Sequence, residues 1–278
     1  MDTDQLKTFL EVSRTRHFGR AAQNLFLSQS AVSARIKGLE EQIGTPLFVR
    51  DRNDIHLTPA GHRLLNHSES ILAAWNRAKY DVMIEDEMDA SLAVAGMPSL
   101  WDITLLEWLH AMHQNQPGVV IHAEVQDANT ILHKLMEGTL DLGFVFEAPQ
   151  VAQIETQQIA TIPLIMVSSR SNISSKEALL QEYILVDWGH AFAIAHTRHF
   201  SDASPPRVRL PLGRIALDYL LACGGSAYLA EPMVNTALAA GTLFRVDDAP
   251  IIERPAYALY TRNPEQAELI QQSLELLT

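Results

Sequence analysis

The first sixty residues carry three apolar rhythms of helical period, separated by short breaks. In "TDQLKTFLEVSRT", Leu6, Phe9 and Leu10 recur at helical spacing behind Thr3, a hydroxyl suited to an N-cap, and predict an amphipathic helix. "FGRAAQNL" predicts a second, short helix with Ala21, Ala22 and Leu25 inward, the alanines small enough for another helix to cross closely above them. Ser28 then caps a third helix, "QSAVSARIKGLEEQI", whose Val32, Ile36, Leu39 and Ile43 form one stripe and whose end is marked by Gly44 and Pro46. The period changes in "PLFVRDRNDIHLTPAG", where Phe48, Arg50, Arg52, Ile55 and Leu57 alternate as in a two-stranded wing with Asn53 and Asp54 at its turn. Thr58 caps the next helix and Pro59 takes its first position, where a missing N–H costs nothing.

From Pro59 to about Glu87, Leu64, Ile71, Trp75, Ala78 and Val82 follow one another in steps of three, four and seven. They trace a narrow seam along a helix about 43 Å long, and a narrow seam calls for a partner helix. The acidic run "EDEMD" after it is expected as a solvated hinge more than a site. Beyond Ala90, strands ("SLAVAGM", "VVIHAEVQ", "LDLGFVF") alternate with helices ("PSLWDITLLEWLHAMHQNQ", "ANTILHKLMEG"), which predicts an α/β unit with a parallel sheet and crossover helices. Near Thr161 to Pro163 the chain enters a second lobe with "YILVDWG", "RIALDYLLACGG" and "SAYLAEPMV". It returns near "YALYTRN", and Asn263 and Pro264 start a last helix, Leu269 to Leu277, that suits the first lobe.

Two lobes joined by two crossings make a hinged cleft. Ligands in open sheets sit beyond the carboxyl ends of strands, which selects Ser99, Trp101, Gln126, Asn129, Phe146 and Tyr228. With no arginine or lysine in "GMPSLWD", a strongly anionic ligand is not specified there.

Composition adds a compartment. The 278 residues are 47% apolar, enough for two or three structural units with large cores. Asp2, Asp4, Lys7 and Glu11 interrupt the N-terminus, so neither a signal nor a transit peptide fits, and no run approaches the ~18 apolar residues of a spanning helix. A cytoplasmic protein without membrane partners is expected. Cys223 is the single cysteine, which excludes an intrachain disulfide or cysteine zinc site, and in "LLACGGSAY" it is expected as a buried structural thiol.

Charge is more informative in its distribution than in its total of -12. Residues 1 to 80 hold 11 Lys+Arg against 8 Asp+Glu, whereas residues 81 to 278 hold 10 against 25. Arg14, Arg16, Arg20, Arg35, Lys37, Arg50 and Arg52 crowd one segment, which points to an anionic partner for the N-terminal part alone. On the third helix the face opposite the apolar stripe is centred on Ser30, Ala34 and Lys37, with Ser33 beside them and Gln29 at the helix start. A small, polar outer face on a helix braced by a preceding one across a three-residue turn suits entry into a DNA major groove. The alternative, a helical hairpin in a core, leaves the arginines unexplained.

Residues 1 to 61 resemble the winged helix-turn-helix of LysR-type transcriptional regulators through "LKTFLEV", "FGRAAQNLFLSQSAVSARIKGLEEQIGTPLFVR" and "LTPAG". The start of the chain and "SLWD" resemble a subgroup that regulates flagellar genes in enteric bacteria. One departure falls on the reading face, where the family often has an arginine after "AVS" and this chain has Ala34, followed by Arg35. A methyl there suits a thymine methyl.

The resemblance implies a winged helix-turn-helix at 1–58, a linker and dimerisation helix at 59–90, and a two-lobed, periplasmic-binding-protein-like effector domain at 91–278. Lobe I would take about 91–161 plus 263–278, and lobe II about 162–262. It further implies double-stranded DNA as partner, a homodimer or homotetramer, a small-molecule effector and no cofactor, with activation or repression left open. Gln29, Ser30, Ser33, Ala34 and Lys37 would face bases, and Arg20, Arg35, Arg50 and Arg52 the phosphates or minor groove.

The histidines invite an alternative, a metal-dependent or hydrolytic enzyme with an accessory DNA-binding domain. "HAMH" sets His110 and His113 a turn apart, and "HAFAIAHTRH" holds His190, His196 and His199. No glutamate completes an "HExxH", and no "GxSxG" or Walker loop appears. No metal site and no enzyme activity are therefore expected.

Overall fold

The computed structural model describes residues 2–51, 54–83, 90–180, 182–201, 205–262, 264 and 266–277, and divides into two compact units, Met1–Glu87 and Met88–Thr278.

In the first unit, helices α1 (Thr3–Thr15), α2 (Phe18–Asn24) and α3 (Gln29–Ile43) precede an antiparallel wing, β1 (Phe48–Asp51) and β2 (Asp54–Leu57), and a long helix α4 (Pro59–Met83). Local side chains fix each helix start. Asp2, not Thr3, caps α1 and forms a reciprocal capping box with Gln5. The His17 ring caps α2, its Nδ1 accepting from the N–H groups of Gly19 and Arg20 at 3.0 and 3.2 Å. Ser28 Oγ accepts from Ala31 N–H at 3.1 Å to open α3, and Gly44, at φ 78°, closes it.

The three helices enclose Leu6, Phe9, Val12, Ala21, Ala22, Val32, Ile36 and Leu39 together with Phe48 of the wing. Ile43, the last residue of the expected stripe, is 41% exposed because α3 outruns the core it covers. Asp54 pairs with Asp51 inside the ladder, so the expected turn position at Asp54 belongs to a strand, and Asn53 lies outside the described residues. The "LTPAG" motif seals the joint to α4. Thr58 Oγ1 accepts from Gly61 N–H and donates to Pro46 O, while a Cβ at Gly61 would sit 2.3 Å from Leu47 O. Leu64, Leu65, Ile71 and Leu72 of α4 pack on this core.

The second unit continues with β3 (Ala90–Gly96), α5 (Pro98–Leu100), a π-helical turn (Trp101–Leu105), α6 (Leu106–Asn115), β4 (Val119–Val125), α7 (Ala128–Met136), β5 (Leu142–Val145), β6 (Ile154–Ser168), α8 (Ser175–Leu180), β7 (Tyr183–Val186), α9 (His190–His199), β8 (Val208–Leu210), α10 (Gly213–Cys223), β9 (Ser226–Ala230), α11 (Glu231–Ala239), β10 (Phe244–Arg245), β11 (Ile252–Thr261) and α12 (Ala267–Glu275). The sheet order is β4-β3-β5-β11-β6-β9-β7-β8, with β10 beside β6.

The expected all-parallel sheet is therefore corrected to a mixed one. β3 is parallel to β4 and β5, and β7 to β8 and β9, but β6 and β11 run antiparallel to each other and to their neighbours β9 and β5. β6 and β11 are the two crossings between the lobes, paired from Ile154↔Thr261 to Leu164↔Ile252. Helix α12 returns to the first lobe, where Trp108 Nε1 donates to Ser273 O at 2.7 Å inside the core. Cys223 is exposed at the end of α10, against the expectation of a buried thiol, because the inward face of that helix is taken by Ala216, Leu217 and Leu220.

Candidate functional site

Two places gather the chemistry. The first is the outer face of α3. Gln29, Ser30, Ala34 and Lys37 are exposed and Ser33 is half-buried, opposite buried Val32, Ile36 and Leu39. The face is held from behind: Glu40 Oε1 accepts from the backbone N–H groups of Leu47 and Phe48 at 2.8 and 3.3 Å, tying α3 to the wing. The acid in the second half of this helix thus joins α3 to its neighbour. Lys37 sits 3.6 Å from Glu41, a loose pair exposed to solvent. Such a pair holds Lys37 weakly.

The structure separates the four arginines. Arg20 is exposed and has no ion-pair partner among the described residues. Arg35 turns inward instead of toward an external phosphate, its Nη2 reaching Asp4 Oδ2 at 3.0 Å and its Nη1 reaching Thr8 Oγ1 at 3.4 Å, so it clamps α3 to α1. Arg50 lies in β1, where only its backbone is described, and Arg52 lies outside the described residues. Sequence reasoning missed Phe26, which is 96% exposed with φ 56° in the turn that delivers the chain to α3. A bulky residue with positive φ is a rare state.

The second place is a cavity of about 420 Å³ between the lobes. Ser99 and Phe146 line it from the first lobe and Trp188, Gly189 and Leu212 from the second. Trp188 is fixed as a wall by its indole N–H, which donates to Tyr228 O at 2.8 Å, and by Gly213, where a Cβ would lie 2.6 Å from the ring. Tyr228 itself is fully buried, with its hydroxyl donating to Pro250 O at 2.8 Å. It supports the cavity from beneath and does not face a ligand, which corrects the expectation; burial raises its hydroxyl pKa.

Three other expected residues, Trp101, Gln126 and Asn129, do not line the cavity. Trp101 turns toward β4 and donates to Glu124 O at 3.1 Å, a position opened by Gly96, where a Cβ would meet Leu105 and the Trp101 ring. Gln126 donates to Glu124 Oε2 at 2.9 Å, and Glu124 also pairs with Lys134. Asn129 is exposed in the first turn of α7, its backbone N–H held by Asp127. Of the six, Ser99 and Phe146 line the cavity.

The residue missed here is Arg254. Its side chain is 3% exposed, its guanidinium carbon lies 4.9 Å from the Phe146 ring centroid, and Glu147 Oε1 stands 3.7 Å away. Burial draws its pKa down and the nearby charge of Glu147 opposes that. In the sequence it is one arginine in "IIERPAYALY", more than a hundred residues from "FVFEAP".

Of the α9 histidines, His196 serves the second-lobe core, whereas His190 is exposed and lines the interlobe cavity and His199 is exposed. Tyr183 Oη and His196 Nε2 lie 2.8 Å apart, their rings stacked, and burial lowers the His196 pKa with a smaller push from His199. Among the described residues no group of three His, Cys, Asp or Glu is placed to hold a metal ion.

Residues 3–62 match the bacterial regulatory helix-turn-helix proteins of the lysR family, and residues 85–278 match the LysR substrate binding domain. The chain belongs to the LysR family of transcriptional regulators. Along 284 aligned positions it is 37% identical to the HTH-type transcriptional regulator HdfR of Yersinia pestis, covering 99% of this chain and 96% of that protein. HdfR of Yersinia pseudotuberculosis matches equally. Among solved structures, the LysR-family regulator CbnR superposes with a TM-score of 0.75 at 20% identity over the whole of both chains, which shows the shared fold. These LysR relatives are transcriptional regulators, and the hydrolytic or metal-dependent alternative gains no support from them. No helix among the described residues is long and apolar enough to cross a membrane.

Proposed function

We propose that this LysR-family protein binds operator half-sites as a homodimer or tetramer, reading bases with α3, and that a small molecule in the interlobe cavity alters that binding. The observation that carries the reading is the outer face of α3: four polar side chains and the Ala34 methyl are presented while every long apolar side chain of its first three turns is buried. Ser30, Ser33 and Lys37 face base edges, Ala34 meets a thymine methyl, and Gln29 reaches from the helix start. Arg20 contacts phosphate, with Arg50 and Arg52 of the wing as companions.

Assembly rests on α4 in the segment 59–90. Trp75, 49% exposed, and Ala78 lie beyond the part of that helix covered by the first unit's core, and a second copy of α4 would cover them. A CbnR structure in complex with its target DNA shares this fold, at 22% identity and a TM-score of 0.75. The likeness to HdfR makes flagellar promoters early targets to examine.

The test is capture of genomic DNA fragments by the purified protein at moderate salt, beside an Arg20→Ala variant. Discrete peaks sharing an inverted repeat are expected, weaker for the variant at every sequence. Capture without sequence preference would overturn the reading.

A further inference from the structure

The cavity between the lobes has a chemistry of its own, and its ligand class can be inferred on the footing of the proposal that it receives an effector. Arg254 stands on β11, one of the two crossing strands, opposite Ile162. An arginine this deeply buried is ordinarily fixed by several hydrogen bonds, because a desolvated cation is costly. Here Nε is buried and makes no hydrogen bond. The ion pair with Glu147 is long at 3.7 Å, and Glu147 itself is 62% exposed.

The guanidinium is also placed against the start of a helix. Nη2 lies 3.1 Å from where a Cβ of Gly189 would stand, so glycine, with φ 87°, leaves the room the cation occupies. Gly189 precedes α9, a helix of ten residues with no side-chain cap, and Leu212 precedes α10, also uncapped; both residues line the cavity. Uncapped helix starts leave N–H groups pointing outward and favour negative charge.

The rest of the lining limits the ligand. Phe146, Trp188, Met97 and Leu212 supply apolar surface, which suits a hydrocarbon or aromatic body. Glu147 and Asp187 also border the space, facing Arg254 and the exposed His190, and a second negative charge on the ligand would have to sit beside these two carboxylates. We infer that the cavity takes a small organic monocarboxylate, its carboxylate received by Arg254 in place of Glu147 and its apolar body set against Phe146 and Trp188. Because Glu147 comes from the first lobe, Gly189 from the second and Arg254 from the strand between them, the exchange of partners couples occupancy to the hinge.

The probes are hexanoate, hexanamide and adipate, followed by thermal unfolding and by ligand-observed NMR on the full chain. Hexanoate should bind, and hexanamide and adipate should bind at least about tenfold more weakly, the scale of one lost charge-assisted hydrogen bond. Arg254→Met should remove the preference for hexanoate over hexanamide. Glu147→Gln, an exposed change that leaves the core intact, should tighten hexanoate because a competing acid is gone. Ser99→Phe, which fills the cavity, should abolish binding of every probe that enters it.

Equal binding of hexanamide and hexanoate, lost in Ser99→Phe, would overturn the carboxylate assignment and leave the effector cleft standing. Stronger binding of adipate would overturn the single charge. Weaker hexanoate binding in Glu147→Gln would overturn the exchange of partners, and failure of all three probes would overturn the inference together with the cleft reading beneath it.

Discussion

The reading helix and the interlobe cavity are built in opposite ways. Around α3 the determinants lie close together in the chain: Ser28 caps from one residue away, Glu40 reaches seven and eight residues on, and only the clamp from Arg35 to Asp4 spans as many as 31 positions. The cavity joins Ser99, Phe146, Trp188 and Arg254, spread over more than 150 residues of chain. One surface follows from local chemistry, whereas the other exists only once a sheet has assembled. The lesson is that a surface for DNA can be recognised in thirty residues, and a pocket for a small molecule cannot.

The contrast is tested most forcefully in the core of the second unit. Trp108→Ala should cost about 3–5 kcal/mol, the range for emptying a large buried aromatic site. Guanidinium unfolding followed by circular dichroism should show the loss in the second unit while the helix-turn-helix signal persists; simultaneous collapse of both would mean that the units do not fold independently. A smaller effect tests the local logic of the first unit. Glu40→Ala strands the N–H groups of Leu47 and Phe48 and should cost roughly 1–3 kcal/mol, with Glu40→Gln recovering part of it.

Base reading comes next. Ser33→Ala should change preference at defined bases by about 1–3 kcal/mol, while Arg20→Ala should weaken all sequences alike and reduce the salt slope by about one. Quantitative gel shifts over a salt series and a randomised half-site check this, and a uniform loss for both variants would erase the distinction between reading and anchoring. The smallest effect concerns acid. The lowered pKa of His196 means that its stabilisation is complete above the ordinary histidine value of about 6.5 and fades as pH falls below it. Burial keeps the Tyr183 hydroxyl protonated, and it shares a hydrogen bond with the neutral ring whose donor is set by the histidine tautomer. Melting temperature measured from pH 7.5 to 5 should fall, and His196→Gln should flatten that decline.

These contrasts also explain what could be seen in the sequence. Periodicity located α1, α2, α3 and α4, and Ser28, Gly44 and Thr58 marked both ends of α3 and the start of α4, since caps act within three residues. Asp2 took the capping role expected of Thr3 because its carboxylate serves Asp4 N–H while Gln5 answers from the other side. The crossing strand β6 was harder to see. "IETQQIATIPLIMVS" is polar in its first half and contains Pro163, features that argue against a strand in isolation and are tolerated here because β11 pairs along it.

The same distance in sequence hid Arg254, whose partners arrive from both lobes, and made Tyr228 look like a ligand contact. A residue in the middle of a second-lobe strand, as Tyr228 is in β9, points into the pocket or beneath it according to a register that only the assembled sheet defines.

The lobes are nested, and nesting has a consequence for the order in which the protein can be made. The first lobe is begun by β3, interrupted by the whole of the second, and completed only when α12 brings Ser273 to Trp108, 165 residues later. During synthesis, which proceeds at about 5–20 residues per second, the second lobe can close while the first still waits for its last helix. A chain that stops short of Ala267 would therefore carry a finished DNA-reading head and an open sheet with a bare indole. Quality-control factors that survey exposed apolar surface would have such a mark to find on unfinished copies.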